Sequence, residues 1–166
     1  APYMAAAKRS ADFHVASLGS LLFSIVPKIV LENAKGLTTA KAPERKPESL
    51  HGAILQTDDD ERFSNYRSLV REEFAKGKSV FLCLPTTSDI RRAEKLLEKG
   101  IAEYSYIFHG LTKKKDFISS WNALAREPHP VFIIGIGQFL CVPRHDIGTI
   151  IVERESSRTY KSQTRP

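Results

Sequence analysis

Gln56-Thr57-Asp58-Asp59-Asp60-Glu61-Arg62-Phe63 lies between an apolar, strand-like run (Leu50 to Leu55) and a helix-like run (Tyr66 to Lys76). A phosphate-binding loop occupies that place in a nucleotide-hydrolysing α/β unit. Such a loop needs glycines so that backbone N–H groups converge on the phosphate oxygens, a lysine for the charge, and a hydroxyl for magnesium. Four consecutive acidic residues would repel a triphosphate. The same carboxylates suit the first turn of a helix, where orphan N–H groups and the macrodipole favour negative charge. A magnesium or calcium site is the sharper alternative, but the alternating oxygen ligands of a calcium loop are absent.

Other residues offer chemistry of a different kind. Lys113-Lys114-Lys115 opens a helix-like segment, either as a solvated helix start or as a set of phosphate contacts. Arg154, Arg158, Tyr160, Lys161 and Arg165 mix cations with an aromatic ring, which suits tracking a nucleic-acid backbone and stacking a base; a frayed terminus is the competing reading. Gly135-Ile136-Gly137 opens like a dinucleotide fingerprint, but Leu140 stands at the third glycine and Pro143 leaves no room for the helix that would bind pyrophosphate. His109 has no assignable nucleophile or carboxylate partner and reads as a turn histidine. Trp121 shares a helical face with Phe117 and Leu124 and reads as core.

These residues need a frame. The 166 residues, 42% hydrophobic and 27% charged, suffice for one core with an appendage. No apolar run reaches the length of a membrane span, and Leu18 to Val26 lacks the features of a signal peptide, so a cytoplasmic protein is expected. Cys83 and Cys141 lie in apolar runs and read as inert core thiols. A net charge of +6 favours a polyanionic partner.

Residues 1–31 read as a helical lead-in, with Leu18, Leu21, Leu22, Ile25 and Val26 on one stripe of two short helices ended by Pro27. Residues 32–49, with Gly36, Pro43, Pro47 and scattered lysines, read as a flexible linker. Residues 50–166 alternate strand-like runs (Leu50 to Leu55, Ser79 to Leu84, Tyr104 to Phe108, Val131 to Ile134, Thr149 to Val152) with helices. Strands apolar on both faces predict a parallel sheet of about five strands covered on both sides, an α/β three-layer domain. The first helix presents Phe63, Tyr66, Leu69, Val70 and Phe74. The second, started by Thr86-Thr87-Ser88-Asp89 and closed by Gly100, buries Ile90, Ala93, Leu96 and Leu97. The third, Lys113 to Arg126, buries Phe117, Trp121 and Leu124, and Pro128 stops it.

The order of these pieces resembles the primosomal protein N′ (PriA replication-restart helicase) family. The resemblance is carried by Ala11 to Gly19, by Gly77-Lys78-Ser79-Val80-Phe81-Leu82-Cys83-Leu84-Pro85, and by Phe108-His109-Gly110-Leu111-Thr112 with Trp121 behind it. The most specific part runs from Val131 to Lys161, where Ile133-Ile134-Gly135, Phe139-Leu140-Cys141-Val142-Pro143, Ile147 to Val152 and Thr159-Tyr160-Lys161 keep the family's order and spacing. The resemblance implies a RecA-like (P-loop NTPase-type) first motor lobe.

The departures fall on the motor chemistry. The family's Gly-x-x-x-x-Gly-Lys-Thr loop aligns with Gln56 to Phe63, so Gln56, Asp59, Glu61, Arg62 and Phe63 are degenerate phosphate-loop positions, with Arg62 at the lysine and Phe63 at the hydroxyl. The magnesium motif Asp-Glu-Glu-His becomes Glu153-Arg154-Glu155-Ser156, and the Thr-Arg after Gly135 becomes Ile136-Gly137. Loss of ATPase activity is the expectation, as in the actinobacterial branch of the family whose helicase motifs have decayed. No cofactor is expected in this chain; ATP with magnesium, and zinc, are implied for intact members alone. The chain reads as a fragment or truncated gene product. The function expected is a non-motor replication-restart, primosome-associated component. It would bind forked or single-stranded DNA through Lys113, Lys114, Lys115, Arg154, Arg158, Tyr160, Lys161 and Arg165, with other primosome proteins as possible partners. An ATP-dependent 3′–5′ helicase with an atypical site, and a remnant that binds only protein, are the alternatives.

Overall fold

The computed structural model describes residues 2–39, 51–97 and 102–160. Leu50, Pro43, Pro47, Gly100, Lys161 and Arg165 lie outside the described residues. Three short helices come first: α1 (Pro2–Phe13), α2 (Leu18–Ile25) and α3 (Lys28–Asn33). Ser17 caps α2 by accepting the Ser20 N–H at 3.1 Å. Pro27 starts α3 instead of ending the segment, its fixed φ of −58° fitting the position before a first helical turn. Ala7, Ala11 and Leu21 form a small core of their own, with Leu18, Leu22 and Ile25 around it.

The α/β unit begins with α4 (Asp59–Ala75), followed by β1 (Ser79–Cys83), α5 (Thr87–Leu97), β2 (Ser105–Phe108), α6 (Lys114–Arg126), β3 (Phe132–Gly135) and β4 (Ile147–Val152). The four strands form one parallel sheet in the order β2-β3-β1-β4. The fifth strand expected at Leu50 to Leu55 is not formed among its described residues, 51–55. Residues 51–58 are irregular and 51–56 are exposed, because an apolar run becomes a strand only when a neighbour supplies its hydrogen bonds and buries its face.

Alternation divides the sheet between two layers. Val80, Leu82, Leu84, Phe132, Ile134 and Ile151 face α4 and α5, whose Phe63, Tyr66, Val70, Ile90, Ala93 and Leu97 complete that core. Phe81, Cys83, Phe108 and Ile133 face α6 and the 3-10 turn Gly137–Cys141, meeting Phe117, Trp121, Leu124, Phe139 and Val142. Phe108, Phe117, Trp121 and Phe139 pack with ring centroids 5.5–6.0 Å apart. Leu96, expected inside α5, is exposed: the helix needs only Ile90, Ala93 and Leu97 to cover its share of the sheet. Trp121 is core as expected, and its indole N–H donates to the Thr38 carbonyl at 3.2 Å. Asn122 accepts the Thr38 N–H at 2.8 Å, so residues 34–38 lie against α6.

The connection from β1 to β2 crosses on the α5 face, and the return from β2 to β3 crosses on the α6 face, as crossovers of one hand require. Every strand therefore ends at the same rim. The N-termini of α5 and α6, and the start of α4, which packs antiparallel to β1, gather there. In open parallel sheets this rim, beyond the carboxyl ends of the strands, is where ligands bind.

Candidate functional site

At the centre of the rim the acidic run is a helix start. Asp58 is the N-cap of α4, accepting the Glu61 N–H at 2.9 Å, and Asp59, Asp60 and Glu61 fill its first turn. One turn further on, Arg62 points across to Glu153, the residue directly after β4. Its Nε lies 3.1 and 3.2 Å from the two Glu153 carboxylate oxygens and its Nη2 lies 2.9 Å from Oε1. The Tyr66 hydroxyl donates to the same carboxylate at 2.5 Å. Arg62 also donates from Nη1 to the Thr57 carbonyl at 3.0 Å and from Nη2 to Asp59 at 2.5 Å. The Glu153 side chain is 5% exposed and Arg62 15%, so the pair sits largely out of water.

The network continues outward. Arg92 of α5 donates to the other Asp59 oxygen at 2.6 Å, and Arg154 reaches Asp89 at 3.3 Å. Asp89 is already paired with Thr86, whose hydroxyl donates to it at 2.5 Å and accepts its N–H at 3.2 Å, a reciprocal cap that starts α5. Arg154 holds a left-handed φ of +51°, a conformation costing about 1–2 kcal/mol for an L-residue. Three guanidiniums (Arg62, Arg92, Arg154) are thus matched by three carboxylates (Asp59, Glu153, Asp89), while Asp58, Asp60 and Glu61 add further negative charge at the start of α4.

The pKa shifts follow from this pairing. Hydrogen bonds from Arg62 and Arg92 hold Asp59 below the usual carboxylate range. Burial works against the charge on Arg62, but the hydrogen bonds to Asp59 and Glu153 raise its pKa further. Burial, then the adjacent Glu153 carboxylate, pushes the Tyr66 phenol up. Each group is thereby fixed in the protonation state that the network uses.

Arg62 and Glu153 are the two positions that the sequence resemblance aligns with a phosphate-loop lysine and a magnesium-binding carboxylate. Here they satisfy one another, and Phe63 is buried in the core beside Tyr66. Glu155 and Ser156 are exposed in the turn after Arg154, and Gln56 is exposed ahead of α4. Among the described residues no cluster of three or more His, Cys, Asp or Glu side chains is arranged to hold a metal ion.

The expected nucleic-acid contacts separate into two groups. Lys113, Lys114 and Lys115 follow β2, the outermost strand on one side, and are exposed at the start of α6. Lys113 is the N-cap of α6 but makes no capping hydrogen bond, so the first-turn N–H groups of that helix face outward beside three ammonium groups. Arg154 and Arg158 follow β4, the outermost strand on the opposite side, with β2 and β4 themselves about 14 Å apart across three strand spacings. None of Lys113, Lys114, Lys115 or Arg158 makes an ion pair with a described residue. Tyr160 is half-buried, and its hydroxyl donates to the Glu153 and Cys83 carbonyls at 2.8 and 3.0 Å, which ties the turn after β4 to the sheet. His109 is a turn residue, its Nδ1 accepting the Leu111 N–H at 3.2 Å. No helix is long and apolar enough to cross a membrane among the described residues.

Sequence reasoning missed a second charged centre, at the opposite end of the sheet. Arg144 donates to Asp146 from Nε at 2.8 Å and from Nη2 at 2.6 Å, and to the carbonyls of Leu124 (3.1 Å), Glu127 (2.5 Å) and His129 (2.8 Å). Ser79 donates to Asp146 at 2.5 Å and accepts the Val131 N–H at 2.9 Å. The only signal was an Arg and an Asp two residues apart in a loop. Neither the protein-family models nor the curated proteins compared with this chain match it.

Proposed function

We propose that this chain is a nucleic-acid-binding module built on a RecA-like lobe that has lost its nucleotide chemistry, serving as a non-motor component of replication restart in the manner of a degenerate primosomal protein N′. One observation carries the reading: at the rim, Arg62 and Glu153 neutralise each other in the place where a motor would hold phosphate and magnesium. A triphosphate entering there would have to break a buried, bidentate ion pair and then meet Asp59 and Glu153 as repelling charges.

Cations without an ion pair among the described residues stand at both ends of the rim. Lys113, Lys114, Lys115 and Arg158 present positive charge to a polyanion, consistent with the net charge of +6. Contacts of this kind are to phosphate, so binding is insensitive to base sequence and strongly dependent on salt.

The test is fluorescence anisotropy of a labelled forked DNA titrated with the protein at several salt concentrations, with and without Mg-ATP. Salt-dependent affinity that ignores ATP supports the reading. An ATP-induced shift would restore the helicase alternative, and a flat salt response would leave a protein-binding remnant.

A further inference from the structure

β4 is an open edge. It is paired with β1 on one side, and among the described residues no backbone hydrogen bond reaches it from any other element. Natural sheets blunt such edges with charge, proline or bulges. β4 reads Ile-Gly-Thr-Ile-Ile-Val, without charge or proline, and its one irregularity lies near its start, where the register shifts between Ser79 and Val80. Ile150 and Val152 share the sheet face of Phe81 and Cys83, yet they are 52% and 48% exposed. The strand thus offers both unpaired backbone groups and uncovered apolar side chains.

A candidate to cover it is tethered at its upper end. Residues 51–56 are exposed, Ile54 is 97% and Leu55 50% exposed, and a Cβ built on Gly52 meets nothing within 4 Å. The segment leads into Thr57, whose carbonyl is held by Arg62, and Arg62 is bound to Glu153 at the top of β4. α4 descends along β4 from there, its Glu73 lying against Gly148 near the strand's start. An extended stretch that enters α4 at the rim and lies beside β4 therefore runs in the same direction as β4, as the parallel sheet demands. Residues 51–55 reach about 16 Å when extended, enough to flank Thr149–Val152.

We propose that residues 51–55 close onto β4 as a fifth, parallel edge strand, making the open arrangement one of two states of this segment. The closed state pairs the β4 edge and brings Ile54 beside Ile150 and Val152, with Leu55 on the opposite face. The proposal is independent of any nucleic acid.

Amide hydrogen exchange read by NMR on the full chain tests it. The Glu153 N–H donates to the Cys83 carbonyl, so by alternation the Ile151 N–H faces β1 while those of Ile150 and Val152 face the open edge. Ile150 and Val152 are expected to exchange at least tenfold more slowly than unpaired amides, independently of protein concentration. Ile54→Pro and Ile54→Asp should abolish that protection, because proline removes a ladder donor and aspartate opposes burial. Both change an exposed position, and undiminished protection at Ile151 reports that the fold is intact. Free exchange at Ile150 and Val152 in the parent overturns the proposal. So does protection that survives both substitutions, and so does protection that rises with concentration, which would place a second copy on the edge.

Discussion

Arg62 and Arg144 stand at opposite ends of the same sheet and do different things with the same group. Arg144, 8% exposed, divides its donors between the Asp146 carboxylate and three backbone carbonyls from the end of α6 and the loop beyond it. Arg62 directs its donors mainly at the carboxylates of Glu153 and Asp59, with one carbonyl. The first arrangement is a staple, since carbonyls of a loop cannot be satisfied by anything but a donor brought to them. The second is a neutralised charge pair, which an apolar pair of similar volume could replace. Position in an α/β sheet thus separates the two arrangements: a loop staple at the base of the strands, and a neutralised charge pair at their carboxyl ends.

The most severe test of that contrast is Arg144→Met. It should cost about 4–5 kcal/mol in urea unfolding, because Asp146 keeps only the Ser79 hydroxyl and the three carbonyls lose the guanidinium. The double variant Arg144→Met/Asp146→Leu should recover little, since the carbonyls of Leu124, Glu127 and His129 stay unpaired. Next, Arg62→Met should cost about 3 kcal/mol by leaving Glu153 as a lone buried charge, whereas Arg62→Met/Glu153→Leu should return to within about 1 kcal/mol of the parent. Equal recovery in both doubles would erase the distinction.

Acid should weaken both centres by a smaller amount. Burial alone would raise the Asp146 pKa, but its hydrogen bonds from Arg144 and Ser79 outweigh burial and hold it low; Asp59 is lowered by Arg62 and Arg92. Both folded-state values lie below the ordinary aspartate value of about 3.9, so the unfolded chain binds protons more readily. Their contribution is complete above about pH 4 and is lost as pH falls through the folded values. The urea midpoint should therefore drop as pH falls below about 4, and less steeply in Asp146→Asn. Smallest of all in stability, within about 0.5 kcal/mol, is the triple change Lys113→Ala/Lys114→Ala/Lys115→Ala. That variant should bind forked DNA more weakly, with a salt slope reduced by about one for each phosphate no longer neutralised. An unchanged slope would remove the start of α6 from the interface.

Much of this architecture could be read from the chain. Ser79–Cys83 and Phe132–Gly135 are buried on both faces, and such runs of β-branched and aromatic residues between amphipathic helices announce a parallel sheet directly. The acidic run at Asp58 declared a helix start through its capping chemistry. Leu50 to Leu55 is apolar like the true strands, yet its described residues, 51–55, pair with no strand, and an apolar run carries no information about neighbours. Arg62 and Glu153 were each singled out, yet their meeting depends on α4 lying along β4, an approach that spans most of the α/β unit. Arg144 was silent because carbonyl partners have no side-chain signature.

Gly148 gives α4 its seat. A Cβ built there would lie 2.5 Å from the Glu73 carboxylate and 2.8 Å from the Lys78 Cβ. The helical distance from Arg62 to Glu73, about 16 Å, matches the strand distance from Gly148 to Glu153. Helix and strand are thus registered at two points, one set by a missing methyl group and the other by an ion pair. A single added carbon at the lower point would push aside the Glu73 carboxylate and press on the Lys78 Cβ, so the strain would fall first on the turn that joins the helix to β1.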